Sequence, residues 1–234
     1  MTEKKVAIVT AASRGIGAAC ARELAERGYA LVMMARSNAV MDVAGELKAA
    51  GVIGSVTELA DLQAVVQTAL DTYGRIDAVV NSTGHPASGP LLDISDQDWH
   101  AGLDLLLLNV VRMARLVTPV MEGQGGGAIV NISTFAAFEP SLAFPVSSAL
   151  RAALGSFTRL YADAYAGAGI RMNNVLPGFM DSYQVDESTR ATIPMGRAGS
   201  VAELARTVAF LLSAEAGYIT GQNLRVDGGL TRSV

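Results

Sequence analysis

VAIVT at 6–10 runs directly into TAASRGIG at 10–17, and this join of an apolar run to a glycine-bearing turn decides the fold. Val6–Thr10 reads as a strand covered on both faces, because it is nearly continuous in apolar residues rather than alternating. The turn opens a helix read at Ile16–Arg27. Small residues at such a turn let the backbone approach an anion at the positive end of the helix, and Gly15 and Gly17 serve that purpose. Ala11 stands where a first glycine is usual. A strand, a glycine turn and a helix in that order are expected of a dinucleotide-binding βαβ unit.

The same alternation continues along the chain. Further strands are read at Ala30–Ala35, Asp77–Asn81, Ala128–Ser133, Ile170–Leu176 and Asn223–Asp227. Between them the spacing predicts helices at Met41–Ala50, Leu62–Thr72, Asp98–Glu122, Ser148–Gly167 and Val201–Ser213. The last begins with a capping box, Ser200 with Glu203. Alternating β and α elements imply an α/β fold with an open, doubly wound parallel sheet. The GQGGG run at 123–127 is a helix stop, and no linker divides the chain, so residues 1–234 are expected to form one domain.

Composition excludes several classes. Of 234 residues, 50% are hydrophobic and 17% charged, against an ordinary charged share of about 25%. That is the opposite of a disordered chain. A net charge of −4 leaves no basic excess for nucleic acid. Leu103–Val111 is the most apolar stretch, but Asp104 and Asn109 break it far below the ~20 residues of a membrane span. Glycine and arginine interrupt the N-terminal apolar run too early for a signal peptide. The single cysteine, Cys20, can form no internal disulfide, which fits a reducing cytoplasm. No metal site is expected.

The chain resembles the short-chain dehydrogenase/reductase family nearly end to end. TAASRGIG resembles that family's TGxxxGIG loop, NSTG (81–84) its NNAG, and IVNIST (129–134) its IVNISS strand. LPGF (176–179) resembles its PG turn, and YITGQNLRVDGG (218–229) its C-terminal signature. The resemblance implies a single Rossmann-type domain, hydride transfer with a nicotinamide cofactor, and a small-molecule substrate. It places Thr10, Ser13, Arg14, Gly15, Ile16, Gly17, Arg36, Ser37, Asn81, Gly84, Arg151, Pro177, Gly178 and Ser182 against the cofactor. At the end of the second strand an acid favours NAD, whereas an arginine accommodates the NADP 2′-phosphate. Ala35-Arg36-Ser37 stands there, with Arg14 just before Gly15, so NADP(H) is expected over NAD(H). Ser55 replaces an aspartate that commonly contacts adenine in the family.

The catalytic positions depart from the family's Asn-Ser-Tyr-Lys. RAALGSFTR (151–159) resembles its KAAL-x-x-FT-K helix, which places Arg151 at the lysine and Ser147 at the tyrosine. Thr134, 13 residues before Ser147, then takes the serine position, and Leu106 the asparagine position, with Asn109 one helical turn later. A second registration pairs Phe144, Ser148 and Ser133 with tyrosine, lysine and serine, but breaks the downstream match. Neither contains Tyr-x-x-x-Lys. Thr134 can donate a hydrogen bond to an oxygen, Arg151 can hold ribose hydroxyls but shuttles protons poorly, and Ser147 is a very weak acid. Ordinary ketone reduction is therefore disfavoured, at a cost of about 10²–10⁴ in rate.

Three ways out remain: an iminium or other activated electrophile that needs no prior proton; an acid from the loop at about 180–197, such as Tyr183 or Asp181, or His85; or cofactor binding without turnover. The candidate catalytic set is Thr134, Ser147, Arg151 and Tyr183. The alternatives to an NADP(H)-dependent oxidoreductase are a silent NADP(H)-binding subunit and a non-redox lyase or dehalogenase, the last disfavoured by the two arginines. The resemblance further implies that the helices over 98–122 and 148–167 pack on a second subunit, and the low charge fits a homotetramer or homodimer.

Overall fold

A computed structural model describes residues 4–233. Seven strands form one sheet in the order β3-β2-β1-β4-β5-β6-β7, parallel throughout. They are β1 Val6–Thr10, β2 Ala30–Ala35, β3 Ala50–Ile53, β4 Ala78–Asn81, β5 Gly127–Ile132, β6 Ile170–Pro177 and β7 Asn223–Val226. The helices are α1 Gly15–Glu26, α2 Ala39–Leu47, α3 Leu59–Tyr73, α4 Asp96–Leu103, α5 Asn109–Gly123, α6 Pro145–Tyr165, α7 Glu187–Thr192 and α8 Val201–Leu212.

Alternate strand residues go to opposite faces, and both faces are covered. Ala7, Val9, Leu31 and Met33 pack with Leu24 of α1, Val43 of α2 and Leu204 of α8. Val6, Ile8, Val32 and Met34 pack with Val65 of α3, Met113 of α5 and Leu154 of α6. Continuous apolar strands are what this burial requires, and they take polar positions out of the composition. Chain order reverses at the β1/β4 junction, so a crevice opens beyond the C-terminal ends of those strands.

The structure corrects two readings. The helix expected to run to Ala50 stops at Leu47; Lys48 turns left-handed (φ 54°) and Ala50 begins β3. That four-residue edge strand carries no alternation to reveal it. The helix expected over 98–122 is two helices joined by a π turn at Asp104–Leu108, which an apolar period cannot signal. The loop at 180–197 contains α7, whose start is capped by Asp186 accepting from the Thr189 amide at 2.7 Å. Among the described residues, no helix is long and apolar enough to cross a membrane.

Asn81, Asn131, Asn174 and Asn223 share one register across β4 to β7. Their amides bond head to tail: Asn81 Nδ2 to Asn131 Oδ1 (2.9 Å), Asn131 Nδ2 to Asn174 Oδ1 (2.9 Å), and Asn174 Nδ2 to Asn223 Oδ1 (2.7 Å). Buried amides are tolerated only when paired, and each one orphaned costs about 1–3 kcal/mol. Asn131→Ala should therefore destabilise the chain by about 2–4 kcal/mol, since it strips partners from both Asn81 and Asn174. The check is the denaturation midpoint at unchanged slope; a loss under ~1 kcal/mol would mean that water replaces the ladder.

Candidate active site

The phosphate loop is shaped by close approach. A Cβ on Gly17 would lie 2.3 Å from the Ala11 carbonyl oxygen, so only glycine lets α1 sit against the loop. Ala11 itself holds a left-handed φ of 49° and Gly15 one of 55°. Arg14 caps α1 without a side-chain bond, and the first turn carries no acid, so the positive helix end is open to an anion. Thr10 ties the loop's base to the end of β4: its hydroxyl donates to the Ser82 carbonyl (2.7 Å) and accepts from the Ser82 amide (2.9 Å).

Arg14 and Arg36 are both exposed, and neither has an ion-pair partner among the described residues. From the end of β2, Arg36 reaches across to the NSTG turn, its Nη2 3.9 Å from where a Gly84 Cβ would lie. Ser13 and Ile16 line the loop and helix start, partly buried, and Ser37 follows Arg36 at the surface. Ser55 is bound into its own turn, its amide donating to Asp61 Oδ2 at 2.8 Å. Ser182 comes back against the phosphate loop, its Cβ 3.6 Å from a Cβ built on Gly15. Pro177 ends β6 and Gly178 follows it, with the Gly178 amide bound to the Val226 carbonyl.

The residues present fit a dinucleotide. Besides the uncapped helix end and the two unpaired arginines, the Thr83 and Ser133 hydroxyls are buried without any partner. Each stands two residues beyond the paired Asn81 and Asn131, at the same sheet edge. Orphaned buried hydroxyls at a ligand crevice are groups that a polar ligand satisfies.

The candidate catalytic residues converge beyond β5. Thr134 accepts from the Ala136 amide (3.3 Å), which leaves its hydroxyl proton free to donate. Ser147 sits in the first turn of α6, partly exposed, and Arg151 follows one turn later on the same helix face. Arg151 is 6% exposed and its Nη1 donates to the Ile132 carbonyl, two residues before Thr134. Burial alone lowers its pKa to about 10, so it remains a cation at neutral pH. No acid pairs with it among the described residues. Leu106 is fully buried inside the π turn, and the Asn109 amide donates to the Leu105 carbonyl. Ser148, from the second registration, accepts from the Ser141 amide at 3.3 Å.

The loop candidates fare differently. Asp181 Oδ1 accepts from the Val201 amide (2.8 Å), which commits it to holding the start of α8. His85 is exposed. Tyr183 is half-exposed beside Ser182, and its partial burial raises the phenol above its ordinary value. It stays a neutral hydroxyl at pH 7, able to bond but slow to give up a proton.

Three aromatic residues gather here, of which only Phe144 carries a role in the sequence pattern, through the second registration. Phe135 meets Phe179 (centroids 5.6 Å) and Phe144 (6.4 Å, edge-on). Their signal was position: Phe135 follows Thr134, Phe144 precedes Ser147 by three, and Phe179 follows Gly178. The chain end was also missed; Arg232 and Ser233 amides donate to the Glu139 carboxylate, and Arg225 lies over the Phe138 ring (5.6 Å). A groove of about 560 Å³ runs along α6 from Phe138 and Arg151 past Gly155 and Leu160 to Asn223.

A doubly wound parallel sheet with a cradled helix end at its switch point, and a hydroxyl and a cation beside it, defines a dinucleotide-dependent enzyme of Rossmann type. Comparison with known proteins agrees. The family model described as enoyl-(acyl carrier protein) reductase matches residues 10–231. Dehydrogenase/reductase SDR family member 4 of Homo sapiens is 35% identical over 242 residues, covering 96% of this chain and 87% of that protein. The 3-oxoacyl-(acyl-carrier-protein) reductase of Vibrio harveyi is 34% identical over 239 residues, covering 97% and 98%. The crystal structure of L-sorbose reductase from Gluconobacter frateurii, complexed with NADPH and L-sorbose, superposes with a TM-score of 0.94 at 28% identity, covering 99% and 98%. The chain belongs to the short-chain dehydrogenase/reductase family and is an NAD(P)-dependent oxidoreductase.

Proposed function

We propose that this chain is an NADP(H)-dependent reductase of a small electrophile, either a carbonyl, an imine or another activated acceptor, working through a centre without an acid–base tyrosine. The observation that carries the reading is Arg151: buried, cationic, without an acidic partner, and bonded to the backbone just before Thr134. An unpaired buried cation is expensive unless something polar or anionic meets it. NADPH, when bound, supplies the hydride. Thr134 donates a hydrogen bond to the acceptor oxygen or nitrogen, Arg151 holds the negative charge that develops there and the ribose hydroxyls beside it, and Ser147 contributes a hydroxyl to the same face of α6. Tyr183 and the rest of the loop at 180–197 close over the substrate. Arg14 and Arg36 meet the 2′-phosphate; Ser182 meets the nicotinamide end, which argues that this end is used.

The test is NADPH consumption across ketones, imines and enals. Turnover that falls at least ~10²-fold in Arg151→Ala is expected, the scale of a lost charge-stabilising donor. Tight NADPH binding with no turnover of any class overturns the reading in favour of a silent binding subunit. Ser147, too weak an acid for the tyrosine role, is the one observation favouring that second reading.

We also propose that the chain works in the cytoplasm as a homotetramer or homodimer. Support comes from Leu160 on α6, 67% exposed, and from the uncharged runs of α5 and α6. Sedimentation returning a monomer overturns the assembly.

A further inference from the structure

The aromatic residues gathered beyond β5 and β6 bear on which electrophile the centre takes. Phe135, Phe144 and Phe179 come from three separate turns, yet their rings meet within 5.6 and 6.4 Å. Phe144 remains 37% exposed while packing edge-on against Phe135, an arrangement that leaves apolar ring surface for something flat. Each lies within three residues of Thr134, Ser147 or Gly178. Two constraints act on whatever binds there. Arg151, a buried cation with no acidic partner among the described residues, repels a cationic acceptor such as an iminium. Neither Thr134 nor Ser147 readily gives up a proton, so the oxygen that receives the electron pair must be tolerated as an anion. An alkoxide from a simple ketone is about as basic as hydroxide, whereas a phenolate-like oxygen is far less basic, its phenol ionising near 10.

We propose that the acceptor is a flat, uncharged, conjugated cyclic carbonyl of the quinone or cyclic enone class, held among Phe135, Phe144 and Phe179, with Thr134 and Arg151 holding the oxygen anion left by conjugate hydride addition. This rests on the reductase reading above. The acceptor gains a C–H bond at its β-carbon as the electron pair of the cofactor's C4–H bond arrives there. The C=C pair shifts along the conjugation to the carbonyl oxygen, which takes a proton from water on release. The ring is reduced by two electrons and NADPH is oxidised by two, so no further reductant is needed.

The probes are 1,4-naphthoquinone and 1-tetralone, bicyclic rings of similar size of which only the first is a conjugate acceptor. Cys20, the one thiol, is fully buried and does not trap the quinone. Enzyme-dependent NADPH oxidation is expected to favour naphthoquinone in kcat/KM by at least ~10²-fold. Equilibrium dialysis with the NADP⁺-loaded protein should show naphthoquinone retained, and each of Phe135→Ala and Phe144→Ala should weaken retention about 2- to 10-fold. Equal turnover of tetralone, or retention unaltered in both variants, overturns this proposal while leaving the reductase reading intact. Failure to consume NADPH with any acceptor overturns both.

Discussion

The double variant Ser147→Tyr with Arg151→Lys is expected to reduce simple ketones about 10²–10⁴-fold faster than the natural chain, because it supplies the general acid that the proposed centre does without. Ser147 stands in the first turn of α6 and Arg151 one turn further on the same face, so the new phenol and ammonium would be helical neighbours. A phenol ionises near 10 and an adjacent ammonium lowers it further, whereas a serine hydroxyl is no acid at any pH the protein survives. The pH profiles should part as well. In the natural chain the residual rate should stay level through neutrality and fall as Arg151 loses its proton at about 10. In the double variant a limb reporting the phenol should appear at lower pH. Each single variant should gain little, since a phenol without its ammonium and an ammonium without its phenol leave the proton step incomplete. NADPH affinity held constant with no gain in rate would show that the proton step is not what limits this centre.

How far the sequence carries the fold depends on what each element asks of its residues. The strands at 6–10 and 30–35 are legible because burial on both faces demands continuous apolar residues. β3 is not, because an edge strand of AGVI is set by its pairing to Val32–Ala35 and by the left-handed Lys48 before it, neither of which has a local pattern. The π turn at 104–108 leaves hydrophobic periodicity almost unaltered. The site divides in the same way. The phosphate loop was readable, since Gly17 answers a backbone approach of 2.3 Å that no other residue survives. Phe135, Phe144 and Phe179 are scattered over 45 positions, and only tertiary folding brings the three rings together. Asp181 reads as a candidate acid until its carboxylate is seen holding the Val201 amide.

Arg36→Asp is expected to reverse cofactor choice. Arg36 stands just past β2 and reaches to within 3.9 Å of where a Gly84 Cβ would lie, while Arg14 flanks the same cleft from the start of α1. With no acid paired to either, both guanidinium groups are available to a 2′-phosphate. A hydrogen bond to a charged group contributes about 1.5–3 kcal/mol, and each 1.4 kcal/mol is a tenfold change, so losing one arginine should weaken NADPH binding about 10- to 100-fold. Aspartate goes further. Its carboxylate repels the phosphate and accepts the bare ribose 2′-hydroxyl of NADH, so the ratio of the two dissociation constants should move by roughly 10²–10³. Arg14→Ala should lower NADPH affinity without raising that for NADH, because it removes a cation and adds no acceptor. Salt separates this account from a mere change of shape: both arginines are exposed, so added KCl should erode the proposed preference for NADPH and leave the NADH affinity of Arg36→Asp nearly unaltered. A dissociation-constant ratio that does not move in Arg36→Asp would leave the 2′-phosphate without its supposed partner and make Arg36 a solvated surface charge.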